Sequence, residues 1–138
     1  EQSMQQLDLP KQYGCIFSAL GTFQQISNRE DAQRALQTLY DHLLPGGRLV
    51  IYLYLPWYNA LPFGDWHEQE KVVMHNKKIV VREKSVHDPI EQLVFCTYRY
   101  EVFENSVRVE REDHELTLCW YSRYEFEMML RKADFKNI

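Results

Sequence analysis

The amino-acid sequence predicts an α/β fold: a strand, helix, strand unit with parallel strands, then an antiparallel β segment, then a closing helix. Three observations predict it. A capped amphipathic helix stands between two apolar runs of strand length. Leu44-Pro45-Gly46-Gly47 separates that helix from the second run, and after Pro56 the apolar period changes to two. At 138 residues, 45% hydrophobic and 26% charged, the chain is long enough to bury a core and too ordinary in composition for disorder or coiled coil.

The elements follow in order. Residues 13–18, Y-G-C-I-F-S, are an apolar run bounded by Pro10 and Gly21 and read as a buried strand. Ser27 and Asn28 are both good N-caps, Glu30 stands where a capping box on Ser27 needs it, and Asp31 adds negative charge to the first turn. Ala32, Ala35, Leu36, Leu39, Tyr40 and Leu43 then recur at the spacing of one buried helix face, which the proline and two glycines should end. Residues 48–55, R-L-V-I-Y-L-Y-L, carry the pattern of a central parallel strand covered on both faces.

Residues 57–68 form an aromatic-rich loop, and residues 71–86 read as two short strands turning at Asn76-Lys77. Residues 92–102 alternate. Val94, Cys96, Tyr98, Tyr100 and Val102 make a dry face; Thr97, Arg99 and Glu101 make a wet one. After a turn at Glu104-Asn105-Ser106, the last strand changes parity between Val109 and Leu116, predicting a bulge or break near residues 111–114. Ser122 and Glu125 form the capping box of the closing helix, Tyr121 and Phe126 its staple, and Phe126, Met129, Leu130 and Ala133 its buried stripe.

Several function classes drop out. A net charge of −4 offers no footprint for nucleic acid or anionic lipid. The apolar run 49–57 is too short to span a bilayer, and no signal-like segment opens the chain, so a soluble cytoplasmic protein is expected. The five glycines assemble no G-x-G-x-x-G or phosphate-binding loop. Cys15, Cys96 and Cys119 are widely separated and suit neither disulfide nor zinc, and His42, His75, His87 and His114 lack ligand spacing, so no metal site is expected. Glu110, Glu112 and Asp113 read as a solvated strand face.

The stretch Q-S-M-Q-Q-L-D-L-P-K-Q-Y-G-C-I-F-S-A-L-G-T-F-Q-Q-I, then the capped helix, then L-L-P-G-G-R-L-V-I, resembles the second half of the class I S-adenosylmethionine-dependent methyltransferases. The closing Y-S-R-Y-E and L-R-K-A-D-F are similar to that family's final helix, and the alternating segment to an antiparallel insertion that small-molecule members carry. The resemblance implies a partial Rossmann-like core at residues 1–56, an antiparallel β insertion acting as substrate lid at 57–121, and a helix returning to the core at 122–138. It implies S-adenosylmethionine as cofactor and a small molecule as methyl acceptor. By matched position Ser3 and Met4 would flank the adenine, and Ser18, Ala19, Leu20 and Gly21 would line the cofactor floor.

The crevice of such a sheet lies beyond the carboxyl ends of its strands, which makes Phe23, Tyr54, Trp57, Tyr58 and Trp66, with Phe63, candidate walls of a substrate pocket. His67 is the candidate general base. The sequence departs from the family at Ser3 and Gly14, where aspartates are usual, and lacks the glycine-rich first motif and the sixth and seventh strands. The resemblance therefore implies a piece of a longer enzyme, inactive alone, binding cofactor weakly and self-associating through unpaired strand edges. The competing expectation is a non-enzymatic β-rich module that binds a ligand or a partner chain.

Overall fold

The computed structural model describes residues 2–55, 64–74 and 77–138. The chain divides into two compact units, Glu1–Leu55 with Cys119–Ile138, and Pro56–Leu118.

The first unit holds β1 (Tyr13–Ser18), α1 (Arg29–Asp41), β2 (Leu43–Ile51) and α2 (Arg123–Lys132). β1 and β2 pair in parallel, Ile16 opposite Leu49 and Ser18 opposite Ile51, which is the expected strand, helix, strand unit. Its helix boundaries differ from the sequence reading. Asn28 rather than Ser27 caps α1, its side-chain oxygen accepting from the Glu30 and Asp31 amides at 2.9 and 3.0 Å. The helix ends at Asp41, ahead of the proline, because His42 closes it: Nδ1 donates to the Thr38 carbonyl (2.8 Å) while Nε2 accepts the Leu9 amide (3.0 Å).

Leu43 therefore belongs to β2, not to the helix. The register jumps from Tyr13–Leu43 to Cys15–Arg48, so Leu44-Pro45-Gly46-Gly47 bulges out of the strand pair instead of stopping the helix. Glycine is required at residue 47, since a Cβ there would lie 2.8 Å from the Leu44 carbonyl oxygen and 3.2 Å from that of Tyr13.

Burial of β2 on both faces is also corrected. Leu49 and Ile51 are half-buried, but Val50 is 56% exposed and its β1 neighbour Phe17 is 75% exposed. Among the described residues this sheet has only two strands, and one face is open. The apolar core lies elsewhere, in Ala32, Ala35, Leu36 and Leu39 of α1 with Phe23, Tyr121, Phe126 and Ala133. α2 forms as read: Ser122 Oγ accepts from the Glu125 amide (3.3 Å), Glu125 returns an oxygen to the Ser122 amide (3.2 Å), and the staple rings of Tyr121 and Phe126 lie 5.3 Å apart.

The second unit is built on an antiparallel sheet in the order β3 (His67–Met74), β4 (Lys77–Asp88), β5 (Leu93–Glu104), β6 (Val107–Cys119, whose last residue returns to the first unit). β3 begins at His67, so His67 and Glu68 leave the expected loop and join the ladder. Asn105 and Ser106, with φ of 48° and 66°, make the two-residue turn between β5 and β6.

β6 is unbroken from Val107 to Cys119, so of the expected bulge or break the break does not occur. Its first nine residues are exposed and burial starts at Leu116. Val107 and Val109 lie in the exposed part of the strand, and Leu116 and Leu118 in the part that is half-buried. The dry and wet faces are mixed as well. Glu101 and Val80, on the face expected to be wet, are 4% and 0% exposed, while Tyr100 on the other is 39% exposed.

Candidate functional site

At the carboxyl end of β1 the chain turns sharply. The Ser18 carbonyl still accepts from the Tyr52 amide (2.9 Å), holding the two strands together at their last pair. Leu20 and Gly21 then both adopt left-handed dihedrals, φ 52° and 70°, and the Thr22 amide and hydroxyl close the turn on the Ala19 carbonyl at 3.0 and 2.7 Å. Glycine suits residue 21; leucine at residue 20 does not, and such a conformation costs a non-glycine residue about 1–2 kcal/mol. The strain leaves the Leu20 side chain 89% exposed at the strand ends. Ser18 Oγ, one turn below, is buried with no hydrogen-bond partner among the described residues.

Gln24 organises this end of the sheet, and the sequence did not point to it. It is fully buried. Its Oε1 accepts the Tyr54 amide, and its Nε2 donates to the Tyr54 carbonyl and to the Cys119 carbonyl, both at 3.0 Å. One side-chain amide thus satisfies backbone groups on the segment leaving β2 and on the end of β6. The only signal in the sequence was a glutamine inside the otherwise apolar T-F-Q-Q-I run, and a polar residue beside a turn reads by default as solvated.

The predicted site residues distribute as follows. Ser18, Ala19, Leu20 and Gly21 form the turn just described, and Tyr54 lies half-buried beside it through Gln24. Ser3 and Met4 sit at a short 3-10 turn, Met4–Gln6, that packs on α1. Phe23 is a core residue with no exposed surface, its ring 5.9 Å from Tyr121 and 5.5 Å from Phe126, so it supports the turn rather than lining a pocket. Arg29 lies over the Tyr121 ring at 4.4 Å and pairs with Glu125 at 3.4 Å, and burial raises the Tyr121 phenol's pKa. Along β2 and α2 the first unit also bears an apolar hollow of about 310 Å³, lined by Leu53, Leu55, Tyr121, Phe126, Leu130 and Ile138 among others.

Trp66 and His67 belong to the second unit. The Trp66 ring carries the Arg99 guanidinium at 4.0 Å, and Asp113 grips that guanidinium through two bonds of 2.9 and 3.0 Å. His67 stands directly opposite Glu83 of β4. Trp57, Tyr58 and Phe63 lie outside the described residues. Among the described residues no cluster of histidine, cysteine or carboxylate side chains could hold a metal ion, and no helix is long and apolar enough to cross a membrane.

No protein-family model matches the chain, and no curated protein is significantly similar to it in sequence. Solved structures are similar in fold. The amino pentose methyltransferase CalS10 from Micromonospora echinaspora, solved with S-adenosylmethionine bound, matches over 96% of this chain and 54% of its own, at 16% identity and TM-score 0.77. The sugar N-methyltransferase KedS8 from a Streptoalloteichus species matches over 96% and 51%, at 16% identity and TM-score 0.79. The CcbJ methyltransferase from Streptomyces caelestis matches over 96% and 50%, at 21% identity and TM-score 0.73. The chain thus has the class I S-adenosylmethionine-dependent methyltransferase fold and spans about half the length of the chains it matches.

Proposed function

We propose that this chain is part of an enzyme that transfers a methyl group from S-adenosylmethionine to a small-molecule acceptor, an amino sugar or a compound like it. The parallel β1–β2 pair carries the reading: its carboxyl ends gather the Ser18–Gly21 turn, Gln24 and Tyr54 at the place where this fold class binds its ligand. The residues present fit the cofactor in part. Ser18 Oγ is a buried polar atom for a ligand's hydroxyl or amino group to satisfy, and Gly21 lets backbone approach without a side chain. When bound, S-adenosylmethionine supplies an electrophilic methyl on sulfur. The chain's own contribution is to align the acceptor, exclude water and accept the proton that the nucleophile loses, the last being the role proposed for His67.

Calorimetric titration of S-adenosylmethionine into this chain, and into a polypeptide carrying further residues upstream from its gene, tests the reading. The expected result is micromolar binding by the longer form and weak or no binding by this one, because a glycine-rich phosphate-type loop and ribose partner are not among these 138 residues. Absence of binding by both overturns it. A second expectation concerns assembly. The open β1–β2 face exposes Phe17, Val50 and Tyr52, at 75, 56 and 58%, so the chain alone should self-associate. Light scattering across a concentration series reads this, and a monodisperse monomer at high concentration contradicts it.

A further inference from the structure

Residues 2–8 fold back on themselves as one piece. Gln2 clasps the backbone of Asp8 through both ends of its amide, Oε1 accepting the Asp8 N–H at 2.7 Å and Nε2 donating to the Asp8 carbonyl at 3.2 Å. Between them the 3-10 turn Met4–Gln6 packs on α1. Among the described residues, the hydrogen bond that joins residues 2–9 to the rest of the unit is the Leu9 amide donating to His42 Nε2 at 3.0 Å. The chain beyond Pro10 is anchored separately: Gln12 Nε2 donates to the Asp41 carbonyl (2.9 Å), and the Tyr13 amide to the His42 carbonyl (2.8 Å).

Both ring nitrogens of His42 are committed, and their partners fix the tautomer. The Thr38 carbonyl can only accept, so Nδ1 carries the hydrogen; the Leu9 amide can only donate, so Nε2 must be bare. A second proton on the ring would set two donors against each other at Leu9. We propose that His42 is a pH-sensitive latch, holding residues 2–9 on α1 while the ring is neutral and releasing them once it is protonated. Two features direct the loss to that bond. The carbonyl end of a helix stabilises positive charge, so the imidazolium keeps its place on Thr38. Pro10 has no amide hydrogen and the chain after it is held by Gln12 and Tyr13, so residues 2–9 can leave without disturbing β1. The titratable and charged groups on the elements around the ring are Asp41 on α1, Asp8 and Lys11 on the N-terminal segment, and Tyr13 of β1. Asp8, Lys11 and Asp41 are exposed, where solvent screens them; Asp41 also takes the Gln37 amide (3.1 Å), and Lys11 lies over the Tyr13 ring at 5.5 Å. The released piece contains Ser3 and Met4, so acid should weaken the hold of these residues on the cofactor; that consequence rests on the methyl-transfer reading, and the latch does not.

The test uses the 138-residue chain, isotopically labelled, with its amide and imidazole resonances followed from about pH 8 to about pH 5. The Leu9 amide should shift along the same curve as the His42 ring. Its protection from hydrogen exchange, corrected for the intrinsic rate at each pH, should fall about tenfold as the ring takes its proton, the value of a donor that loses its acceptor. The Tyr13 amide should keep its protection, since its acceptor is the His42 backbone. His42→Gln places an oxygen that does not titrate where Nε2 lies, and should hold Leu9 protection within about twofold across the range. His42→Asn reaches only as far as Nδ1, keeps a donor for Thr38, and should leave Leu9 unprotected at every pH. Leu9 and His42 moving on different curves, or Leu9 protection that survives protonation of the wild-type ring, overturns the proposal, and both are read without any variant having to fold. A fall of the wild-type size in folded His42→Gln overturns it as well. No ligand enters the measurement, so the latch and the methyl-transfer reading fall separately.

Discussion

Replacing Gln24 with leucine is expected to destabilise the first unit by about 3–5 kcal/mol, read as a fall in the urea midpoint with unchanged slope. Leucine occupies nearly the same volume, so the loss is one of hydrogen bonding and not of packing. Three backbone groups lose their partner: the Tyr54 amide, the Tyr54 carbonyl and the Cys119 carbonyl. The Cys119 bond is buried and the two Tyr54 bonds part-buried, so each lost bond costs roughly 1–2 kcal/mol. Gln24→Glu makes the complementary case. One oxygen can still accept the Tyr54 amide, but the other faces two carbonyl oxygens, and a carboxylate buried against them is costly. That variant should therefore gain stability relative to wild type as pH falls and the new acid protonates, becoming a donor again. A loss below about 1 kcal/mol for Gln24→Leu would mean that the Tyr54 and Cys119 segments hold their places without the amide.

How far the sequence can be read follows from the range over which each signal acts. Where a local signal is also the one that decides, reading succeeds: Ser122 with Glu125, Tyr13–Ser18 and the Asn105–Ser106 turn all depend on residues within a few positions. The misreadings share a different cause. Leu44-Pro45-Gly46-Gly47 contains the strongest breakers in the chain, yet His42 had already ended the helix by bonding Thr38 and Leu9, and the latter is distant in sequence. Parity along β6 says little of burial over its first nine residues, because alternation reports burial only where a strand is buried.

The candidate site was legible at the turn after β1 and not beyond it. Gly21 announces a left-handed residue, but Gln24 acquires its role only when residues 54 and 119 arrive, and Phe23 looks like a pocket wall until Tyr121 and Phe126 close over it.

The second unit should lose about 2–3 kcal/mol on Glu101→Gln at neutral pH, and that loss should shrink in acid. Glu101 is 4% exposed and takes the guanidinium groups of Arg82 and Arg108, the latter at 2.7 Å. Removing one partner of a buried ion pair costs more than a surface pair is worth, because the remaining charges keep their desolvation and lose its compensation; here both arginines retain some solvent, which holds the figure below the fully buried range. The hydrogen bond from Arg108, with the charges of Arg82 and Arg108, holds the Glu101 carboxyl below its usual pKa against a burial that pushes it up. A carboxylate depressed in the folded state contributes stability that is complete above its unfolded pKa and is lost as pH falls through its folded one. The wild-type chain should thus destabilise below about pH 4, and the glutamine variant, already without that charge, should lose less over the same interval. Its remaining acid sensitivity belongs to Asp113, whose carboxyl Arg99 and Arg111 hold well below the usual range. Urea midpoints of both chains, taken at neutral pH and again in acid with the amide resonances of β5 as reporters in this unit, measure the difference. Parallel curves across that pH range would show that Arg82 and Arg108 are carried by solvent and not by Glu101, and the buried carboxylate would then need another account of its stability.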